Sequence, residues 1–171
     1  MAACIERLAL EICQGSQGAQ RLALVGIHRR GVPLAQRIAA ALQRQPCAEI
    51  VQGTIDVTQY RDDLQTMRRL PKLEGSDIGF DVEDANVVIC DEVLYTGRTI
   101  RAALDELLSF GRPRRVQLAV LVDRGGRELP IQPDYVGLHH SVAADEHIRV
   151  QFEEVDGVDT VFVQPWSTPS P

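Results

Sequence analysis

Two hydrophobic periods alternate along this 171-residue chain. Ile5, Leu8 and Ile12 recur at helical spacing, which predicts a helix over residues 4–13. A polar loop over residues 15–20 leads into RLALVGI (21–27), apolar enough for a strand covered on both faces. Residues 32–42 return to the helical period, with Pro33 tolerated in the first turn. EIVQGTIDVTQY (49–60) predicts a second long strand. Residues 61–84 show no period and hold Pro71, Gly75, Gly79 and several charges; a loop of that length inside a domain is usually functional. A third strand is expected over 87–90, a second main helix over 98–110 and a fourth buried strand over 116–122. Shorter strands are expected over 135–138, 147–152 and 160–163. Residues 164–171, rich in Pro and Ser, read as a disordered tail. No repeat or linker divides the rest, so residues 1–163 are expected to form one domain.

Strand–helix alternation with near-continuous apolar strands predicts an α/β fold. Its central sheet is mainly parallel, with helices on both faces and a small hood of short strands. Ligands of such sheets bind at the carboxyl ends of the strands. Residues 28–31, 61–80, 91–99 and 123–130 each follow a predicted strand and should converge on one rim. Composition adds exclusions. A net charge of −6 argues against a globally basic nucleic-acid coat, while leaving room for a local basic patch. No run of about 18 apolar residues predicts a membrane span. The opening MAACIERLAL lacks the order of a signal peptide. Cys4, Cys13, Cys47 and Cys90 show no C-x-x-C spacing and read as reduced thiols of a cytoplasmic protein.

The chemistry concentrates in VVICDEVLYTGRT, residues 87–99. Asp91 and Glu92 follow an apolar run and precede a hydroxyl-rich turn that opens a helix. Paired carboxylates accept hydrogen bonds from vicinal ribose hydroxyls, directly or through a divalent metal. The N–H groups of the turn, with the hydroxyls of Thr96 and Thr99, favour a phosphate at the helix start. Gly97 lets the backbone approach that phosphate. Order and spacing closely resemble the phosphoribosyl-pyrophosphate (PRPP) motif of phosphoribosyltransferases. On that resemblance Tyr95, Thr96, Gly97, Arg98 and Thr99 hold the 5-phosphate. His28, Arg29, Arg30 and Gly31 form a loop for the pyrophosphate, whose charge arginine forks and loop N–H groups neutralise. Arg61, Arg68, Arg69 and Lys72 supply cations for a lid that excludes water. The charged turn around Val122, Asp123, Arg124 and Arg127 lies where a base would bind.

A longer pattern supports a narrower resemblance. LALVGI, RRG, GTIDVTQYRDDL, DEVLYTGRT, GRPRRVQLAVLVDRG and RELPIQPDYVG run in one order over residues 4–163, with a weaker QFEEVDGVD near the end. They resemble the bifunctional pyrimidine-operon regulator/uracil phosphoribosyltransferase (PyrR) family, of type I phosphoribosyltransferase fold. The resemblance implies synthesis of UMP from uracil and PRPP with Mg²⁺, held through PRPP near Asp91 and Glu92 and not by a dedicated protein site. It assigns catalysis to Asp91, Glu92 and Arg30. It also implies binding of pyrimidine-operon mRNA in response to UMP or UTP, and a homodimer or higher homo-oligomer. Candidate RNA-phosphate contacts are Arg7, Arg21, Arg37, Arg44 and the cluster at 112–115. Where the family usually has Asp-Asp, this chain has Asp91-Glu92; where it usually has Thr-Arg-Gly, this chain has Arg29-Arg30-Gly31. A catalytically weakened nucleotide-binding paralogue and a purine phosphoribosyltransferase are the alternatives.

Overall fold

The computed structural model describes residues 1–57, 75–143 and 145–165. Five strands form one parallel sheet: β1 (Arg21–Ile27), β2 (Glu49–Ile55), β3 (Asn86–Leu94), β4 (Arg115–Asp123) and β5 (Tyr135–His139), in the spatial order β2-β1-β3-β4-β5. Helices α1 (Ala2–Gly15) and α2 (Gly31–Leu42) cover one face, and α3 (Arg98–Ser109) covers the other. The strands are apolar on both sides because both sides are covered. Val88 and Cys90 pack with Leu8, Ile12, Leu34 and Ile38, whereas Val87 and Ile89 pack with Ile100, Ala103 and Leu107.

Two glycines set how closely α2 meets the sheet. A Cβ on Gly31 would overlap the Cys90 carbonyl oxygen and lie 3.3 Å from the Asp91 Cα. One on Gly26 would stand 2.6 Å from the Val32 Cα. The start of α2 therefore rests directly on the β3 backbone.

The hood is an antiparallel hairpin of β6 (Glu146–Gln151) and β7 (Thr160–Pro165), joined through the one-turn helix α4 (Glu153–Asp156). Ile148, Val150 and the fully buried Phe152 pin it to the α1/α2 core. Arg37 of α2 lies over the Phe152 ring, 5.1 Å from its centroid, and pairs with Glu154 and Asp159.

Several boundaries differ from expectation. β3 runs to Leu94, so the acidic pair lies inside the strand and not beyond it. Parallel pairing with β4 carries the strand on, through Asp91 opposite Val120 and Val93 opposite Val122. β2 ends at Ile55, and residues 58–60 of the expected strand lie outside the described residues. β7 continues through Gln164 and Pro165, which pair with His147 and Glu146, so these two residues belong to the hood and not to a tail. The helix α4 was not expected from the sequence. The four cysteines are free thiols; Cys90 is buried and the others are half-buried.

Candidate functional site

In the order β2-β1-β3-β4-β5, the connections leaving β1 and β3 turn to opposite faces of the sheet, α2 to one and α3 to the other. A crevice opens at such a switch point, at the carboxyl ends of the strands. The loop 28–31 bounds it on the β1 side and the turn 95–97 on the β3 side.

Asp91 and Glu92 sit between them and are 4% and 6% exposed. Asp91 Oδ1 accepts the Glu92 N–H at 3.0 Å. In a regular strand, neighbouring side chains point to opposite faces. That alternation slips here. Counting from Val88 and Cys90, Val93 should face α3 and Leu94 should face α2, but each packs with the other core. The change of phase falls on the two carboxylates, so strict alternation does not force them apart.

The turn that follows is built for backbone contact. Gly97 caps α3 at φ 93°, a left-handed conformation that favours glycine. Thr96 is buried, and its Oγ1 accepts the Arg98 N–H at 3.2 Å. Its carbonyl accepts the N–H groups of Glu128 and Leu129, both at 3.0 Å. Arg98 points outward and pairs with Glu128. Thr96 and Arg98 are thus fastened to the loop after β4.

Arg127 is the main fastener. Its Nε donates to the Ile131 carbonyl at 2.9 Å, its Nη1 to the Tyr95 carbonyl at 3.0 Å, and its Nη2 lies 2.8 Å from Asp123 Oδ1. Asp123 also accepts the Gly125 N–H at 2.9 Å. Burial pushes the Asp123 carboxyl up, but this N–H and the guanidinium outweigh it, leaving the group below its ordinary value. Arg124 is buried and stacks on Tyr95, 3.7 Å from the ring centroid. Val122 belongs to the core. Of the four expected base-site residues, Arg124 therefore stacks on Tyr95, Val122 lies in the core, and Asp123 and Arg127 hold the loop.

In the first loop, Arg29 is exposed, whereas Arg30 meets Asp156 of the hood through two hydrogen bonds, 2.9 and 2.7 Å. The peptide between His28 and Arg29 is cis. Asp156 was not singled out from the sequence. Its only signal is QFEEVDGVD, where Gly157 closes a single helical turn at φ 75°. Arg61, Arg68, Arg69 and Lys72 lie outside the described residues. The expected RNA contacts are mostly occupied: Arg7 by Glu11, Arg21 by Glu49, Arg37 by Glu154 and Asp159, and Arg44 by Glu6.

Paired acids beside a glycine-opened helix, on an all-parallel sheet with a hood, define a phosphoribosyltransferase domain, and the phosphoribosyl transferase domain family matches residues 1–155. At the level of the fold, a hypoxanthine phosphoribosyltransferase from Trypanosoma cruzi superposes with a TM-score of 0.66 at 20% identity, over 82% of this chain and 76% of that one. A hypoxanthine-guanine phosphoribosyltransferase from Bacillus anthracis gives 0.62 at 21% identity, over 81% and 78%. Sequence similarity narrows the class. The bifunctional protein PyrR of Roseiflexus sp. is 53% identical over 160 residues, covering 93% of this chain and 87% of that protein. Those of Deinococcus radiodurans and Thermus aquaticus are 48% and 49% identical, over 92% and 94% of this chain and 86% and 89% of theirs. The chain belongs to the PyrR family.

Proposed function

We propose that this phosphoribosyltransferase makes UMP and pyrophosphate from uracil and PRPP, and that it regulates pyrimidine-operon mRNA by binding it in response to uridine nucleotides. The observation that carries the first half is the acidic pair, set between the glycine-packed loop 28–31 and the glycine-opened turn 95–97. In this reading the N–H groups at the start of α3 receive the 5-phosphate, aided by the helix dipole. Asp91 and Glu92 accept hydrogen bonds from the ribose hydroxyls and fix the sugar. The loop 28–31 receives the pyrophosphate. Tyr95 and Arg124 form the wall against which uracil rests. The ring nitrogen forms a bond to the anomeric carbon as the bond to pyrophosphate breaks. The electron pair leaves with pyrophosphate, and the ring proton passes to solvent. Positioning and electrostatics supply most of the rate in such a reaction, because cationic character develops on the sugar.

Among the described residues, no group of three or more His, Cys, Asp or Glu converges as a metal site. Asp91 and Glu92 nevertheless offer the hard oxygen donors that suit Mg²⁺, with PRPP supplying further oxygens. Bound there, Mg²⁺ would neutralise charge on the pyrophosphate. The same reading includes a cytoplasmic homo-oligomer; among the described residues, no helix is long and apolar enough to cross a membrane.

A uracil assay with PRPP and Mg²⁺ tests it. UMP should form from uracil and not from hypoxanthine or guanine. Glu92 carries one more methylene than aspartate, and errors of about 1 Å near the reacting centre cost up to about a hundredfold. Glu92→Asp should therefore raise kcat severalfold. Clear PRPP binding with no UMP at high enzyme concentration rejects the uracil reaction and leaves a nucleotide-binding paralogue.

A further inference from the structure

The charged anchors of the hood fall into two sets. Arg37, in the middle of α2, takes Glu154 and Asp159. Arg30, the residue that caps α2 and ends the loop 28–31, takes Asp156. The Arg30–Asp156 contact is bidentate, Nε to Oδ2 at 2.9 Å and Nη2 to Oδ1 at 2.7 Å. The two side chains are only 19% and 11% exposed. Asp156 is itself held from the core side, because its Oδ2 also accepts the N–H of Phe152 at 3.0 Å. Phe152 is fully buried among α1, α2 and the sheet. A rigid chain of contacts therefore runs from the core through Phe152 and Asp156 to the arginine of the loop.

We infer that Asp156 is a positioning residue for the pyrophosphate end of the substrate, acting by bracing Arg30 and with it the loop 28–31. The inference rests on the PRPP reading above. A guanidinium clamped along its Nε–Nη2 edge has one plane and one orientation. A loop whose arginine must be ordered at each binding event loses affinity to conformational entropy; a braced one does not. The division of labour within the loop follows. Arg30 is committed to the brace, and the exposed Arg29, which makes no ion pair among the described residues, is the cation the loop presents to solvent.

The test compares two ligands that share a 5-phosphate and differ in the pyrophosphate. The full chain and its variants are titrated calorimetrically with PRPP plus Mg²⁺, and separately with UMP. Asp156→Asn should weaken PRPP about tenfold, while UMP changes by less than about twofold. Asp159→Asn loosens the same hood from Arg37 without touching Arg30, and should leave the ratio of the two affinities unchanged. Asp156→Glu keeps the charge and should recover part of the loss; if the Asn variant does not fold, a selective PRPP deficit in Asp156→Glu carries the comparison. Parallel loss of both ligands, unchanged PRPP affinity, or the same selective loss in Asp159→Asn overturns the inference. Wild-type protein that binds neither ligand overturns the PRPP reading itself.

Discussion

At the scale of single residues, the site depends on what is missing as much as on what is present. Gly31 has no side chain because the Cys90 carbonyl occupies that space. The contact brings the loop 28–31 onto the backbone just before the carboxylates, so the residue joins the two halves of the site. Gly31→Ala should destabilise the chain by about 1–3 kcal/mol, the usual range when a well-packed contact is overfilled. It should also lower PRPP affinity, because α2 must back away from β3. Urea denaturation and PRPP titration on one preparation check both effects. A variant as stable as wild type would show that α2 does not rest on β3 as described. Arg127 shows the opposite economy. One planar side chain ties the turn after β3 to both ends of the loop after β4, a task that lysine with its single ammonium does not duplicate.

At the scale of elements, the C-terminal hairpin is the part most exposed to solution conditions. Hydrogen bonds from Arg37 hold the carboxyls of Glu154 and Asp159 below their ordinary values, and those from Arg30 do the same for Asp156. A carboxyl with a depressed folded pKa contributes stability that is fully present above its unfolded value, about 4, and lost as pH falls through the folded value. The hood should thus be firmly docked at pH 6 and loosen progressively below about pH 4, ahead of the parallel sheet. Hydrogen exchange, corrected for intrinsic rates, checks this: amides of residues 146–151 and 160–165 should lose more protection between those conditions than those of β1. Equal losses would mean that the three pairs do not anchor the hood. This element also marks the limit of what the sequence makes legible. Buried parallel strands stand out as apolar runs, and the expected span of β1 agrees with the structure because both of its faces are covered. The motif over residues 87–99 is local and reads directly. The Arg30–Asp156 pair spans 126 positions, so no hydrophobic period encodes it. A four-residue helix such as α4 is also too short to show one. The extent of β3 escaped for a different reason: its polar end is buried by the loops it serves, and polarity there imitates a strand terminus.

At the scale of the whole molecule, the regulatory half of the reading must be reconciled with a net charge of −6. RNA repels such a chain at long range, so contacts must come from a local cluster of cations. Ion pairing within the chain bears on where such a cluster would lie. Arg7, Arg21, Arg37 and Arg44 already face carboxylates of their own chain. Arg112, Arg114 and Arg115 make no ion pair among the described residues, but Arg114 and Arg115 line a groove of about 820 Å³ with Glu49, Asp81, Glu83 and Asp84. Those acids offset them. The groove opens at the amino ends of the strands, away from the candidate site at their carboxyl ends, which makes it a poor place for a nucleotide bound there to influence. In the reading proposed above, RNA binding tied to UMP is expected near the rim where Arg29 is exposed. Each phosphate contact releases counterions, so the logarithm of affinity should fall linearly with the logarithm of salt, steeply enough to see between about 50 and 200 mM. Gel shifts with pyrimidine-leader RNA should show that slope, and UMP should strengthen binding at every salt concentration. Arg29→Gln should make the slope shallower by about one contact, while Arg114→Gln leaves it unchanged. Binding that ignores both salt and UMP would remove the regulatory half of the reading and leave the transferase half standing.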